Sequence, residues 1–118
     1  MNNDLLTELQ ELVKSRRAEH EEGSYTAYLF DQGLDKILKK LGEECAETII
    51  AAKNLNAEAE SEAEAREALI GEAADLIYHL VVMLDELNVN VGEVEDLLRE
   101  RMNKKGNLKP PRQVDKDS

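Results

Sequence analysis

The chain has 118 residues, and its 15 basic and 26 acidic residues give a formal net charge of -11. This length predicts one domain, and the acidic excess argues against nucleic-acid binding, which needs clustered lysine and arginine. Because no cationic segment precedes an apolar run at the N-terminus and no 18 apolar residues follow one another, we expect neither secretion nor membrane insertion.

The first two predicted elements are helices. One helix is predicted from about Asp4, as its N-cap, to about His20. A short helix follows, capped by Ser24 and closed by Gly33. The inward stripe predicted for the first helix consists of Leu5, Leu6, Leu9, Leu12 and Val13.

The second long helix is predicted over about residues 35–54. A helix turns by about 100° per residue, which puts seven residues on one largely apolar face that we expect to pack inward. They are Ile37, Leu38, Leu41, Cys45, Thr48, Ile49 and Ala52. Cys45 is the only cysteine, which fits a reducing cytoplasm, and we interpret it as a small buried hydrophobic residue.

The remaining elements complete an all-α pattern of four to five helices. Residues 56–66 are rich in alanine and glutamate and are expected to be a solvated helical extension or a mobile loop. A third long helix over about residues 65–87 is so apolar that it is expected to be buried nearly all round. Asn90 and Glu93 resemble a capping box for a last helix to about Met102. We therefore expect a domain over residues 1–102 and a polar, flexible tail over residues 103–118.

Five acids lie beside these apolar faces. On the second long helix, Glu43, Glu44 and Glu47 fall within an arc of about 100°, and on the third, Glu72 and Asp75 are three residues apart. Antiparallel packing of the two helices would bring the acids together, and a divalent cation would resolve their repulsion. Oxygen ligands suit Mg²⁺ or Mn²⁺, the cations of phosphoryl chemistry. The alternative is that the acids only solvate the surface.

The lysines and histidines near the acids each have more than one candidate role. Lys36 and Lys40 project to the same side as the acids, so each could form a local salt bridge or contact a polyphosphate. A di-iron site needs Glu-x-x-His pairs, and neither histidine follows a glutamate by three residues. We expect His79 to be a structural or supporting histidine rather than a metal ligand.

The acidic pattern E-E-x-x-E followed by E-x-x-D resembles the motif of the all-α nucleotide pyrophosphohydrolases of the MazG-like superfamily. Within that superfamily the chain is most similar to the phosphoribosyl-ATP pyrophosphohydrolase family. The similarity extends to SYTAYLFDQG (residues 24–33), KKLGEECAE (39–47) and EAADLIYHLVVML (72–84).

This resemblance implies Mg²⁺-dependent hydrolysis of phosphoribosyl-ATP between its α- and β-phosphates, the second step of histidine biosynthesis. Metal ligation is implied for Glu44, Glu47, Glu72 and Asp75, and a catalytic role for Glu43 and Glu47, with Glu43 orienting or deprotonating water. Substrate contacts are implied for Ser24, Tyr25, Lys36, Lys39, Lys40 and His79.

The resemblance also implies a cytoplasmic, stand-alone homodimer, in which antiparallel helical hairpins of two chains form a bundle. Two alternatives remain open at this point. One is a house-cleaning pyrophosphatase of the same superfamily, which cleaves ordinary or damaged nucleotides such as dCTP or dUTP. The other is a helical dimerisation module without catalysis.

Overall fold

A computed structural model describes residues 4–57 and 61–104 of the chain. The described residues form five helices and no strand, so the predicted all-α fold is confirmed. In chain order the helices are α1 (Leu5–Glu19), α2 (Tyr25–Gln32), α3 (Leu34–Ala57), α4 (Glu62–Glu86) and α5 (Val91–Met102).

The predicted helix ends are largely confirmed. Ser24 Oγ accepts a hydrogen bond of 3.1 Å from the Ala27 amide at the start of α2. Gly33 ends α2 at a φ of 96°, a region that residues with a Cβ rarely adopt. At α5, Asn90 and Glu93 form the predicted capping box. Asp4 occupies the N-cap position of α1, but its side chain accepts from the Thr7 hydroxyl instead of a helix amide.

The long helices α3 and α4 form an antiparallel hairpin, which is the main contact of the fold. The Thr48 hydroxyl on α3 lies 2.7 Å from the Glu44 carbonyl oxygen and 3.2 Å from that of Glu72 on α4. Helices α1, α2 and α5 close one side of this hairpin around a common core. That core consists of Val13, Leu29, Ile37, Val81, Val82 and Val91.

The inward face predicted for α3 is wrong for most of its members. Leu38 is 42% exposed and Ile49 64% exposed, and Cys45 is exposed rather than buried. The buried residues of α3 are Ile37, Glu44 and Ala51, which are spaced seven residues apart. A seven-residue spacing is typical of helices that pack along their whole length. It places Glu44 on the same buried line of α3 as Ile37 and Ala51.

The expectation that α4 is buried nearly all round is also wrong for this chain. Its inward residues, among them Ala65, Val81 and Val82, are buried, whereas Ile77 is 46% and Ile70 63% exposed. Two leucines of the predicted α1 stripe are exposed as well, Leu5 at 71% and Leu12 at 49%. Within the single chain, α3 and α4 therefore both carry apolar side chains on their outer faces.

A buried polar network that sequence analysis did not predict fastens α1 to α4 and α5. Asp85 is 1% exposed and accepts hydrogen bonds from Lys14 Nζ and Arg17 Nη1. Gln10, also buried, donates to Asp85, and its Oε1 accepts from the Val91 amide at 2.8 Å. Each of these polar groups is bonded, so the network is structural.

Two predicted segments fall only partly within the described residues. In the alanine- and glutamate-rich stretch, α3 continues to Ala57 and Ser61 caps α4, while residues 58–60 lie outside the described residues. Of the predicted tail, residues 105–118 lie outside them too. None of the five helices is both long enough and apolar enough to cross a bilayer.

Candidate active site

The α3–α4 hairpin brings together acids from both helices, as predicted. Carboxylate oxygens of Glu44, Glu72 and Asp75 all lie within 4.8 Å of one another. The three-residue spacing on α4 puts Glu72 and Asp75 on one face, and the seven-residue spacing on α3 turns Glu44 towards them. Three oxygen ligands that converge from two rigid helices can hold a hard divalent cation.

Two oxygens at the centre of the cluster have no donor. Glu44 is 8% exposed, and no N–H or O–H group in the described part of the chain reaches Glu44 Oε1 or Glu72 Oε1, both of which are buried. A buried carboxylate oxygen without a partner is destabilising. The candidate ligands are all carboxylate oxygens, and among the described residues the two buried oxygens have no positively charged partner. Such a set of ligands fits Mg²⁺ or Mn²⁺.

The electrostatics of the cluster support this interpretation. Burial, which is the largest cause, and the nearby charges of Glu47, Asp75 and Glu72 together raise the pKa of Glu44 from 4.5 to about 7. Burial and then the Glu47 charge also raise the pKa of Glu72. A substantial fraction of Glu44 therefore retains its proton near neutral pH unless a cation replaces it.

Glu47 lies next to the cluster rather than within it. Its charge acts on both Glu44 and Glu72, but its side chain is exposed, and it does not belong to the group of oxygens within 4.8 Å. Its ligand role therefore stays a prediction.

Glu43 points away from the other acids. Its Oε1 lies 3.1 Å from Lys40 Nζ, and its side chain is 45% exposed. The hydrogen bond and charge of Lys40 lower the pKa of Glu43, and the same carboxylate raises the pKa of Lys40. For Lys40 the structure shows the local salt bridge that sequence analysis had left open. Although Glu43 adjoins Glu44 in sequence, the two carboxylates have opposite environments.

His79 is buried behind the cluster with both ring nitrogens hydrogen bonded. Nδ1 lies 2.7 Å from the Asp75 carbonyl oxygen, which can only accept, so Nδ1 carries the proton. In the neutral ring, Nε2 then accepts from the Tyr25 hydroxyl, 2.9 Å away. This bonding fits the supporting role expected for His79.

Three other predicted site residues lie at the α2–α3 end of the hairpin. The Ser24 hydroxyl is occupied in capping α2. Lys36 Nζ lies 5.9 Å from the centre of the Tyr28 ring, which stacks on the half-exposed Tyr25 ring. Lys39 is exposed, and its charge contributes to the lowered pKa of Glu43.

A cleft of about 220 Å³ borders the cluster on the side away from the lysines. Its lining residues are Glu47, Ile50, Ala51, Asn54, Ala65, Ala68 and Glu72. Sequence analysis did not predict it. The alanines at positions 51, 65 and 68 are the only sequence signal, because small side chains leave room between packed helices.

Fold and site define the class of the protein: its helical hairpin with a cluster of inward carboxylates is that of the all-α nucleotide pyrophosphohydrolases. The sequence model of the phosphoribosyl-ATP pyrophosphohydrolase family matches residues 6–102. The chain belongs to this family, which confirms the resemblance given by its motifs.

Similar proteins carry the corresponding names. Phosphoribosyl-ATP pyrophosphatase of Clostridium novyi (strain NT) is 43% identical over 111 residues, 94% of this chain and 93% of that protein. Phosphoribosyl-ATP pyrophosphatase of Listeria welshimeri is 45% identical over 111 residues, covering 94% and 98%. The histidine biosynthesis bifunctional protein HisIE of Bacillus subtilis (strain 168) is 47% identical over 97 residues, 82% of this chain and 42% of that protein.

Proposed function

We propose that this chain hydrolyses phosphoribosyl-ATP between the α- and β-phosphates, which yields phosphoribosyl-AMP and pyrophosphate in the second step of histidine biosynthesis. The observation that carries the proposal is the family match over residues 6–102, because this range contains every acid of the cluster. The proposal is also supported by two relatives that are named for this activity and that align with more than nine-tenths of this chain.

The cofactor we propose is Mg²⁺, with Mn²⁺ as a possible substitute, held by Glu44, Glu72 and Asp75 and, as a further ligand, Glu47. The donor-free oxygens of Glu44 and Glu72 support this assignment. Such a cation supplies charge neutralisation for the polyphosphate and orientation of the scissile bond. The protein contributes a rigid set of ligands and a partly buried site in which that charge has a large effect.

The hydrolysis needs a base and a binding site for the leaving group. Water attacks one phosphorus of the α–β anhydride, the bond from that phosphorus to the bridging oxygen breaks, and the bridging oxygen leaves with the other phosphoryl group, which gives phosphoribosyl-AMP and pyrophosphate. We assign the water proton to Glu47, because it is exposed beside the cluster, and keep Glu43 as the other candidate. Lys36, Lys39 and Lys40 attract the departing pyrophosphate, for which Lys40 exchanges its salt bridge with Glu43.

Residues of the α2 end have supporting roles in this proposal. We assign substrate contacts on the lysine side of the site to Ser24 and to the ring of Tyr25, which is half-exposed. His79 holds the Tyr25 hydroxyl and thereby fixes that side chain beside the cluster.

We further propose a cytoplasmic homodimer, with residues 1–102 as the catalytic domain and residues 103–118 as a polar C-terminal segment. The dimer is supported by the outward apolar side chains of α3 and α4, among them Ile49, Ile70 and Ile77.

The function is tested by pyrophosphate release from phosphoribosyl-ATP, dCTP and dUTP, each with Mg²⁺ and with EDTA. We expect release from phosphoribosyl-ATP with Mg²⁺ and little from the other two nucleotides. Preferential cleavage of dCTP or dUTP would instead indicate a house-cleaning pyrophosphatase. A non-catalytic module would release no pyrophosphate, and Mg²⁺ would not raise its melting temperature.

A further inference from the structure

The cleft beside the acid cluster has no role in the function proposed so far. We propose that it binds the nucleoside end of the substrate, so that the nucleotide lies along the α3–α4 hairpin with its pyrophosphate end at the lysines. This inference rests on the proposed function and adds the direction of the substrate and the residues that recognise it.

The position of the cleft supports this direction. Glu72 belongs to the cluster and Glu47 lies next to it, and both residues line the cleft, so the two spaces are continuous. Along α3, at about 1.5 Å per residue, Lys40 lies about 6 Å to one side of Glu44 and Asn54 about 15 Å to the other. The cluster thus separates a cationic end of the hairpin from the cleft.

A linear triphosphate has two different ends. If the acids bind through a cation at the α–β bond, the nucleoside must leave the cluster on one side and the β- and γ-phosphates on the other. The lysine side offers three cations to the more anionic end, Lys36, Lys39 and Lys40. Charge complementarity therefore directs the nucleoside to the cleft.

The lining of the cleft fits an uncharged ring system. Among the described residues no lysine or arginine lines the cleft, and Glu47 and Glu72 at its edge would repel a phosphate. Ala51, Ala65 and Ala68 form apolar walls, and the amide of Asn54 can both donate and accept a hydrogen bond, as recognition of a base or ribose requires. The volume of about 220 Å³ suits one end of the substrate rather than the whole molecule.

The second ribose of the substrate carries its own phosphate, which needs a cation beyond the cleft. Lys53 and Arg66 are exposed, and they adjoin the cleft residues Asn54 and Ala65 in sequence. No ion pair of either side chain is found among the described residues. We assign them to this distal phosphate, which distinguishes phosphoribosyl-ATP from ATP.

The test begins with the wild-type protein. Pyrophosphate release from phosphoribosyl-ATP must be present; its absence would refute the proposed function itself, independently of any statement about the cleft. Given that activity, the variant Ala68→Leu fills the cleft, and Ala63→Leu places the same side chain on an exposed position of α4 that does not line it. Asn54→Leu serves as a second cleft variant.

We expect both cleft variants to raise KM for phosphoribosyl-ATP about tenfold or more, because Ala68→Leu removes the shape fit and Asn54→Leu removes a hydrogen-bonding partner. Ala63→Leu should leave KM unchanged. Inhibition by pyrophosphate, which occupies only the lysine side, should stay the same in all three. Wild-type KM in both cleft variants, with activity intact, would overturn the inference while the proposed function stands.

Two further comparisons check the direction. Replacing Lys53 and Arg66 together by glutamine should raise KM for phosphoribosyl-ATP but leave the inhibition constant of ATP unchanged. Tyr28→Ala tests the reverse orientation, in which the stacked rings of Tyr25 and Tyr28 would bind the base. A larger rise of KM in Tyr28→Ala than in Ala68→Leu would refute the proposed direction.

Discussion

At the scale of single residues, the proposed chemistry depends on the acids of the cluster. Asp75 lies on α4 within 4.8 Å of the carboxylates of Glu44 and Glu72. We expect Asp75→Asn to lower kcat by more than the roughly 100-fold typical of residues that only support a metal site, since it removes a ligand charge. Pyrophosphate release at saturating Mg²⁺ measures this effect, with unchanged helical circular dichroism as the control for folding. Near-wild-type turnover would contradict the assignment of Asp75.

Glu44 links the site to stability, because its pKa is raised from 4.5 to about 7 in the folded protein. Between these pH values the folded state holds a proton that the unfolded state has released, so this stabilising contribution is full below pH 4.5 and is lost as pH rises through about 7. In EDTA we therefore expect Glu44→Gln to match the wild type near pH 5 and to exceed it at pH 8.

The measurement is the free energy of unfolding in urea with EDTA at both pH values. Glu43→Gln is the matched comparison for stability, because it removes only an exposed ion pair and should show no such gain at pH 8. A Glu44→Gln protein less stable than the wild type at pH 8 without metal would contradict the buried, unpaired state of this acid.

The sequence allowed three converging acids to be predicted, but not the environment of each acid. Glu44, Glu72 and Asp75 were predicted from spacing beside apolar residues, and they do converge. Glu43 was grouped with them because it lies within the same arc of the helix, yet a lysine three residues earlier holds it at the surface. Spacing alone does not show which of two neighbouring acids a lysine will bind.

At the scale of elements, helix ends were predictable because capping is local, whereas packing faces were not. Ser24, Gly33 and Asn90 end or begin helices through bonds within a few residues. Choosing the inward face of α3 by hydrophobicity favoured Leu38 and Ile49, which instead lie on the outer face. Hydrophobicity does not show whether an apolar face packs within the chain or against a partner.

The attachment of α1 to α4 depends on Asp85, another buried acid, whose bonds come from Lys14, Arg17 and Gln10. We expect Asp85→Ala to lower the free energy of unfolding by about 2–4 kcal/mol, because Gln10 would lose a buried partner and α1 its charged contacts. Urea denaturation measures the change. Asp96→Ala, which removes an ion pair on the exposed face of α5, should cost no more than about 1 kcal/mol. Equal losses in the two variants would refute the role of the network.

At the scale of the whole molecule, the two faces of the α3–α4 hairpin differ in what they contact. The inner face binds α1 and α2 and holds the acids, while the outer face exposes apolar side chains of both helices. Exposed apolar surface of this kind marks an interaction site in a soluble protein. An all-α hairpin gains most from a second hairpin, since helices bury apolar stripes against one another.

The predicted homodimer can be tested through this outer face. Ile49 is 64% and Ile77 46% exposed, and a charge at either position would be buried at a symmetric interface twice, once from each chain. We expect the wild type to have the mass of a dimer by light scattering at micromolar concentration, and Ile49→Glu and Ile77→Glu to shift it to the mass of a monomer. Leu5→Glu introduces the same charge at a 71% exposed position of α1 and should leave the dimer intact. A monomeric wild type, or dissociation by Leu5→Glu but by neither isoleucine variant, would contradict dimerisation through the α3–α4 hairpin.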